Sequence, residues 1–395
     1  MAAPGRRQLR LIVLIACAIQ FIDVAMISAL SPLLPHFREE LGFGPSESGR
    51  LVASFAIGSF MLAFPAGALV GRFGVKATAV VGLALMAATS AAFGLADSTH
   101  ALEAARFGQG AASSVAWTAG ISWLTGSAPP DRRGRYLGWQ ATATVSGALA
   151  GPGFGVLGAH VGTRATFVGL GAAIAVLAVI ALALPTVPAA RQSYRAAFRA
   201  LRNPTLSVGV GLFLLPALLM GVQNTVAPLR LSDAGWGVSA IGSIFIAAAA
   251  IQAVWNPLFG RWLDRVDPRT PIGLSLSLSA ALACLLALPW LDGHWALAVL
   301  VGAASIAFVS FYLLGSTLIA RGADATGLEH AYGFSLANAA WAPGTIVGSL
   351  VGGAVAQGLG GNAPYALLAA LCLGFLVAVR WLPISAPTGA VARAS

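Results

Sequence analysis

Charged residues are scarce in this chain. Only 9% of its 395 residues are Asp, Glu, Lys or Arg, whereas about a quarter of residues are charged in soluble domains. Hydrophobic residues make up 58%, and the mean hydropathy is +0.83. Apolar segments of about 20 residues recur along the chain, each long enough for a helix to cross a membrane, and they lack the alternation of barrel strands. The sequence therefore predicts a helical integral membrane protein.

Cysteine is also rare, and nothing in the sequence suggests a metal site. Cys17, Cys284 and Cys372 lie far apart in apolar runs without CxxC spacing, so we expect small packing residues. The five histidines fall at predicted span ends or in loops, without the spacing of metal ligands. No nucleophile elbow, phosphate-binding loop or catalytic paired-carboxylate motif is present. We therefore expect no enzymatic activity, no metal and no cofactor.

Hydropathy predicts twelve spans in two sets of six. The expected fold class is all-α, with twelve transmembrane helices in two pseudo-symmetric six-helix halves. Residues 1–184 form the N-terminal half, 185–203 a cytoplasmic linker, 204–383 the C-terminal half and 384–395 a cytoplasmic tail. In the linker, RQSYRAAFRALRN suits either a short amphipathic helix on the membrane surface or a plain solvated segment. The predicted spans are 9–33, 48–70, 76–96, 101–124, 136–160, 164–184, 205–229, 238–262, 270–290, 294–319, 331–356 and 363–383.

A formal net charge of +10 would suit a protein that binds nucleic acid, but the distribution of the charge argues against such a partner. If the N-terminus is cytoplasmic, 18 of the 23 lysines and arginines fall in inside segments, as the positive-inside rule requires. A single lysine beside many Ala, Gly and Arg residues is typical of a high-GC bacterium. We expect a multi-pass protein of the bacterial inner membrane with both termini cytoplasmic. The inside residues are Arg6, Arg7, Arg10, Arg72, Lys76, Arg132, Arg133, Arg135, Arg191, Arg195, Arg199, Arg202, Arg261, Arg265, Arg269, Arg321, Arg380 and Arg393.

The fifth predicted span contains SGALAGPGFG, in which half of the residues are poor helix formers. Gly147, Gly151 and Gly155 are spaced four apart, so they share one helix face and allow a neighbouring backbone to approach closely. Pro152 removes one backbone hydrogen bond and is expected to bend the helix. Generic tolerance of glycine and proline in membrane helices is the alternative explanation.

With Gly138 placed before Gly147, this pattern resembles the fifth-helix motif of drug:proton antiporters of the major facilitator superfamily, although Val156 replaces its final glycine. The resemblance covers nearly the whole chain. LEAARFGQGAA is similar to the fourth-helix motif of that family and contains Arg106, Gln109 and Gly110. GALVGRFGVK and GRWLDRVDPR resemble its gating loops, except that Gly71 stands where the first loop carries an Asp. The resemblance assigns gating to Gly67, Arg72, Gly74, Lys76, Gly260, Asp264 and Arg265.

Asp23 is the acidic residue that lies midway along a predicted span, and burying a carboxylate there costs about 2.5–3.5 kcal/mol. It is our candidate for proton coupling or substrate recognition; a structural hydrogen bond between helices is the alternative. Gln20, one turn earlier, is expected to hydrogen-bond it. The resemblance assigns Arg106 to proton movement, while a structural pair with Glu103 remains the alternative.

The polar and aromatic residues within the spans predict a mainly apolar cavity with few hydrogen-bonding groups. The resemblance implies a monomeric, proton-coupled exporter of small lipophilic compounds, cationic ones included, of the multidrug efflux type. Its partners would be the substrate, protons and the lipid bilayer, and the proton gradient would replace a cofactor. A facilitator or symporter for a metabolite such as a sugar or organic anion, and a non-transporting sensor or scaffold, remain alternatives. The cavity candidates are Gln20, Gln109, Trp117, Asn224, Gln252, Trp255, Asn338 and Trp341.

Overall fold

The computed structural model describes residues 5–129, 132–186, 198–263, 265–267, 269–289, 294–328 and 330–378. Within these ranges lie twelve long helices. The proposed linker helix falls largely outside the described residues, as do Asp264 and the tail at 384–395. The helices are α1 Arg6–Leu41, α2 Pro45–Phe73, α3 Val75–Leu95, α4 Thr99–Ser127, α5 Arg133–Val161, α6 Thr163–Leu182, α7 Pro204–Asp233, α8 Val238–Leu263, α9 Arg269–Leu286, α10 His294–Thr326, α11 His330–Leu359 and α12 Ala363–Ala378.

The predicted all-helical fold with twelve transmembrane helices is confirmed, because each predicted span overlaps one of these helices. In the part of the chain that the structure describes, nine helices are long and apolar enough to cross a membrane. Helices α4, α5 and α12 are not among the nine. Polar residues such as Gln109 and Ser113 interrupt α4, and only 16 residues of α12 are described.

Each half has its own apolar core. In the second half, one cluster of buried side chains runs from Leu212 on α7 to Cys372 on α12. In the first half, a cluster runs from Ile12 on α1 to Leu184 just after α6. Because helices in a bilayer associate through packing rather than by escaping water, these separate cores favour two compact bundles.

Single glycines join some neighbouring helices with very short turns. Gly74 ends α2 and begins α3, and its φ of 83° lies in the left-handed region, where a side chain would be strained. Its N–H donates to the carbonyl oxygen of Val70 at 3.0 Å. Gly162, with a φ of 106°, connects α5 and α6 in the same way. These turns hold the paired helices antiparallel.

The two halves touch at one end of the bundle. We call the end where α1 begins the basic end, because Arg6, Arg72 and Lys76 lie there, and the opposite end the far end. Polar contacts join the halves at the far end: Arg38 Nη1 to Asp233 Oδ1 at 2.6 Å, Ser46 N to Gln357 Oε1 at 3.2 Å, and His160 Nε2 to Ser239 Oγ at 2.7 Å.

Close packing accompanies these polar contacts. A Cβ atom built on Gly49 of α2 would lie 2.4 Å from the carbonyl oxygen of Ser349 on α11. A Cβ atom on Gly353 of α11 would lie 2.5 Å from the carbonyl oxygen of Pro45. Leu229 of α7 belongs to a buried cluster that otherwise comes from the first half. The far end is therefore closed, and the space between the halves faces the basic end.

The Arg38–Asp233 ion pair yields a first prediction. Both side chains are largely exposed, so the pair contributes up to about 1 kcal/mol, and Arg38→Gln or Asp233→Asn should raise the open population at the far end by up to roughly fivefold. The reverse pair Arg38→Asp with Asp233→Arg should restore closure. The measurement is the labelling rate of Val52→Cys, in the cavity wall, by an impermeant thiol reagent applied from the far-end side of a cysteine-free background.

Arg164→Gln provides the control, because this exposed residue lies at the far end and makes no described contact between the halves. Equal labelling in Arg38→Gln, Asp233→Asn and Arg164→Gln would show that the ion pair does not hold the far end closed.

Candidate functional site

A central cavity of about 450 Å³ lies between the two halves. Its first-half wall comes from α1, α2, α4 and α5, and its second-half wall from α7, α8, α10 and α11. Ser31 lies towards the closed far end, Thr345 lies at the middle of α11, and Ala63 and Thr118 lie towards the basic end. A cavity in this position is reached from the basic end.

Asp23 lies in the cavity wall at the middle of α1 and is only 8% exposed. Its Oδ1 accepts a hydrogen bond from the hydroxyl of Ser113 on α4. The described structure shows no hydrogen bond from Gln20 to Asp23; the Oε1 of Gln20 accepts from Gln140 Nε2 of α5 at 3.4 Å. The sequence offered little to single out Ser113, since it stands in the run AASSVAWT among other small residues.

Arg106 lies about two turns into α4 from the far end and is 2% exposed. Its Nη1 donates to the carbonyl oxygen of Met26 at 3.0 Å and to Gln109 Oε1 at 2.9 Å. The guanidinium also lies 4.9 Å from the ring centre of Phe55 and 5.8 Å from that of Phe93. Cation–π contacts and a backbone carbonyl thus stabilise a charge that would be costly in a dry interior.

The alternative pair between Arg106 and Glu103 is not what the structure shows. Glu103 Oε1 accepts from Arg50 Nε at 2.9 Å, near the far end, and Arg50 also contacts Glu47. Within the described residues, no ion pair joins Arg106 to Asp23 either. Arg106 is therefore a buried cation held by a carbonyl, an amide and aromatic rings.

Most of the predicted cavity residues line the cavity. Gln20, Trp117, Asn224, Gln252 and Trp341 lie in the wall, whereas Gln109 is fully buried beside Arg106. Trp255 is not in the described wall; it is 42% exposed and stacks on Phe259, with 5.5 Å between ring centres. Asn338 lies in α11, but its side chain is not among those described.

The cavity wall carries more hydrogen-bonding groups than we expected from the sequence. Small hydroxyl residues on core-facing helix positions were hard to distinguish from packing residues, because serine and threonine return their hydroxyl to the helix backbone in many membrane helices. Ser59 and Ser114 bridge α2 and α4 at 2.9 Å in the wall. The hydroxyl residues of the wall are Ser28, Ser31, Ser59, Ser113, Ser114, Thr118, Thr144, Ser305, Tyr312 and Thr345.

Charge is distributed unevenly around the cavity. Asp23 and Arg106 both come from the first half, and the second half contributes no Asp, Glu, Lys or Arg to the described wall. Instead, the second half contributes aromatic side chains at Phe213, Phe245, Tyr312 and Trp341. The first half also contributes Phe55, Phe60 and Trp117, so a ligand in this cavity meets aromatic surfaces on both sides and charged groups on one.

The glycines of the fifth-helix motif pack against α1, the helix that carries Asp23. Cβ atoms on Gly147, Gly151 and Gly155 would lie 2.4, 2.6 and 2.2 Å from carbonyl oxygens of α1. Gly138 is different, because it is exposed and a Cβ atom there would meet nothing within 4 Å. Pro152 lies in the cavity wall. Only three glycines of the motif thus form the α1–α5 seam.

The second half contains an equivalent seam between α7 and α11, which our reading of the sequence missed. Cβ atoms on Gly344 and Gly348 would lie 2.4 and 2.2 Å from the carbonyl oxygens of Leu214 and Leu218. Gly352 continues the face against Val222, with the nearest atom at 3.1 Å. The four-residue spacing in PGTIVGSLVGG was the signal that would have identified it.

A buried amide joins three helices of the second half behind the wall. Gln223 of α7 donates to Val301 O at 2.9 Å and to Ser305 Oγ at 3.2 Å, both on α10. It also accepts from the hydroxyl of Tyr365 on α12 at 2.9 Å. Gln252 of α8 donates to Ser305 O at 3.0 Å. This network fixes the polar part of the second-half wall.

The gating residues assigned by resemblance lie at the basic end. Arg72 is exposed and lies 5.4 Å from the Phe73 ring centre, while Gly74 and Lys76 form the short turn into α3. Gly67 lies within the last two turns of α2, and Gly260 and Arg265 lie around the end of α8.

Comparison with known proteins identifies a broad sequence family. The sequence profile of the Major Facilitator Superfamily matches residues 16–222 and 210–395, which is nearly the whole chain. Quinolone resistance protein NorA of Staphylococcus aureus strain MRSA252 is 22% identical over 356 residues, which cover 85% of this chain and 87% of that protein. Multidrug resistance protein 1 of Bacillus subtilis strain 168 is 24% identical over 374 residues, or 91% and 94% of the two chains.

The fold is also that of solved structures. A structure of a variant of the nucleoside transporter NupG superposes with a TM-score of 0.74 at 15% sequence identity, covering 94% of this chain and all of that one. At this identity the likeness concerns the fold.

The seams predict a position-specific cost of adding one methyl group. Gly155→Ala and Gly348→Ala should each lower the free energy of unfolding by about 1–3 kcal/mol, because the new Cβ atom meets a neighbouring backbone. Gly153→Ala, on the same helix as Gly155, meets open space and should be neutral or slightly stabilising. Thermal unfolding of the detergent-solubilised protein measures the difference. A similar loss in Gly153→Ala would contradict the packing explanation.

Proposed function

Since the chain belongs to the major facilitator superfamily of membrane transporters, we propose that it is a proton-coupled exporter of small lipophilic compounds, working by alternating access. The observation that carries the proposal is a buried carboxylate, Asp23, in the wall of a largely apolar cavity between two separately packed halves. The names of its relatives NorA and Multidrug resistance protein 1 support a role in drug resistance.

The proposed orientation places the basic end in the cytoplasm of a bacterium, following the positive-inside rule. The cavity then faces inwards, ready to load a compound from the cytoplasm or from the inner leaflet. Opening at the far end would require the contacts of Arg38, Ser46 and His160 with the second half to break. Residues of the loops at the basic end, including Arg72 and Arg265, would meet in that second state.

The proposed role of Asp23 is to exchange a proton for the substrate. In its charged form it binds a basic or polar group of the compound, and burial in the wall favours its neutral form when that group leaves. Ser113 orients the carboxylate through its hydroxyl. The guanidinium of Arg106 is bonded to Met26 O on α1. It would therefore interact electrostatically with Asp23 without forming an ion pair. Binding and protonation at Asp23 would then exclude one another.

A facilitator for a polar metabolite is the second candidate. It is favoured by the hydroxyl-rich wall and by the fold it shares with a nucleoside transporter. Such a protein would carry its substrate down a gradient and need no proton. Transport of uridine that is independent of a pH gradient would support this candidate.

The test of the proposed function is proton exchange in proteoliposomes. With an imposed pH gradient, adding ethidium or a quinolone should produce a substrate-dependent change in luminal pH, read from an enclosed pH-sensitive dye. Asp23→Asn should reduce that signal at least tenfold, because an amide cannot take up the proton. Glu39→Gln, which changes an exposed carboxylate on the same helix, should leave it intact. Normal proton exchange in Asp23→Asn would overturn the assignment.

A further inference from the structure

We propose that Phe198 acts as a wedge that keeps the basic end of the cavity open. This residue begins the linker end, by which we mean residues 198–203, the described part of the linker before α7. The linker end packs on the second half, while the ring of Phe198 stacks on Phe64 of α2 in the first half. The inference rests on alternating access, which is part of the proposed function, but it does not depend on proton coupling or on the compound carried.

The linker end is attached to the second half. Its Leu201 packs against a buried cluster formed by Leu206 of α7, Ile319 of α10 and Ala337 of α11. The side chain of Asn203 accepts a hydrogen bond from Leu206 N at 3.1 Å and so caps the first turn of α7. Because the apolar contact and the cap both belong to the second half, the linker end is expected to move with that half.

Phe198, three residues before Leu201, reaches the first half. Its ring centre lies 6.0 Å from that of Phe64, with 29° between the ring planes. Phe64 follows Ala63, a residue of the cavity wall, and lies about two and a half turns before the end of α2. The two rings are 51% and 36% exposed, so the contact lies at the surface. The stack therefore lies at the mouth of the cavity, between the two halves.

Closure of the basic end would bring α2 towards the second half. In alternating access the halves move largely as rigid bodies around the central site, so their basic ends approach each other when the far end opens. Phe198 is attached to one half and stacks on the other, so its ring lies between the approaching surfaces. Tightly packed surfaces leave no room for an extra ring. Phe198 would have to leave Phe64 first, and the stack therefore stabilises the state that is open at the basic end.

A simpler role for the linker end would be to lie on the membrane surface as an amphipathic segment. Arg199 and Arg202 are exposed, as such a segment requires. In that case the ring of Phe198 would act by entering the lipid, and Phe64 would have no part in its effect. The two roles therefore differ in what they predict for variants of Phe64.

The test measures how often the far end opens when neither substrate nor a pH gradient is present. Val52→Cys, in the cavity wall of a cysteine-free background, is labelled by an impermeant thiol reagent applied from the far-end side. Phe198→Ala should raise the labelling rate about two- to tenfold, since an aromatic pair shifts an equilibrium by about that factor. Phe198→Tyr keeps a ring and should label at the parent rate. An unchanged rate in Phe198→Ala would overturn the inference.

Variants of α2 separate the wedge from membrane anchoring. Phe64→Ala should also raise the labelling rate, and the double variant with Phe198→Ala should be no faster than the faster single variant, because both remove one contact. Met61→Ala is the matched control, since Met61 is 58% exposed on the same helix and lies outside the described cavity wall. Acceleration by Phe198→Ala without acceleration by Phe64→Ala, or equal acceleration by Met61→Ala, would contradict the wedge.

Spin labels across the basic end distinguish a shift between states from a loosened structure. Ala77→Cys on α3 and Ala325→Cys on α10 are exposed positions at the basic ends of the two halves. Phe198→Ala should enlarge the population with a short distance between these labels. A broader distribution without a shorter component would show loosening and reject the wedge.

The outcomes are distinct from those of the proposed function. Proton exchange in the wild type, together with an unchanged labelling rate in Phe198→Ala, would leave the proposed function standing and reject the wedge. Faster labelling in Phe198→Ala and Phe64→Ala, without proton exchange for any compound, would support the wedge and reject proton coupling.

Discussion

Direct contact between helix backbones at glycine is the constraint on which the rest of this structure depends. In each half, three glycines spaced four apart bring one helix against the backbone of another: α5 against α1, and α11 against α7. Because α1 and α7 line the cavity, the seams fix its walls. The same helices also close the far end, where Val156 of α5 meets Gly242 of α8 and Gly353 of α11 meets Pro45 of α2. Each of these helices packs tightly within its own half at the seam and contacts the other half at the far end. Such an arrangement suits a half that moves as a unit.

The two charged side chains in the cavity wall make the cavity a candidate binding site. Asp23 and Arg106 lie in the same wall but bond to other partners, Ser113 for the acid and Met26 with Gln109 for the base. A direct pair between them would neutralise both and leave little for a ligand to recognise. The fully buried network around Gln223 stiffens the opposite wall, which contributes aromatic surface instead of charge.

The sequence was sufficient to predict the twelve helices, since length, apolarity and glycine or proline breaks are local properties. It also indicated Asp23 and Arg106, because ionisable residues inside apolar runs are conspicuous. The partners of these residues could not be predicted in the same way. Whether Glu103 faces Arg106 or Arg50 depends on how α4 and α2 are rotated about their axes, and Gln20 bonds to Gln140 for a similar reason. The α11 seam was visible as spacing, but only the structure shows that Gly344 and Gly348 meet a backbone whereas Gly138 and Gly153 meet open space.

We propose that each half moves as a rigid unit about the cavity and that closure of the far end depends on whether Asp23 is charged. Distances between spin labels test it most directly, with Glu40→Cys and Leu359→Cys reporting across the far end and Glu40→Cys and Val161→Cys reporting across the α1–α5 seam. Each of the two cysteine pairs would be made with Asp23 and with Asp23→Asn, the latter representing the neutral form. All four variants would lack the native Cys17, Cys284 and Cys372 and would be measured in lipid nanodiscs. The account predicts that Asp23→Asn lengthens the far-end distance in part of the population and leaves the seam distance unchanged. A seam distance that changes together with the far-end distance, or a far-end distance that is the same in both forms, would contradict it.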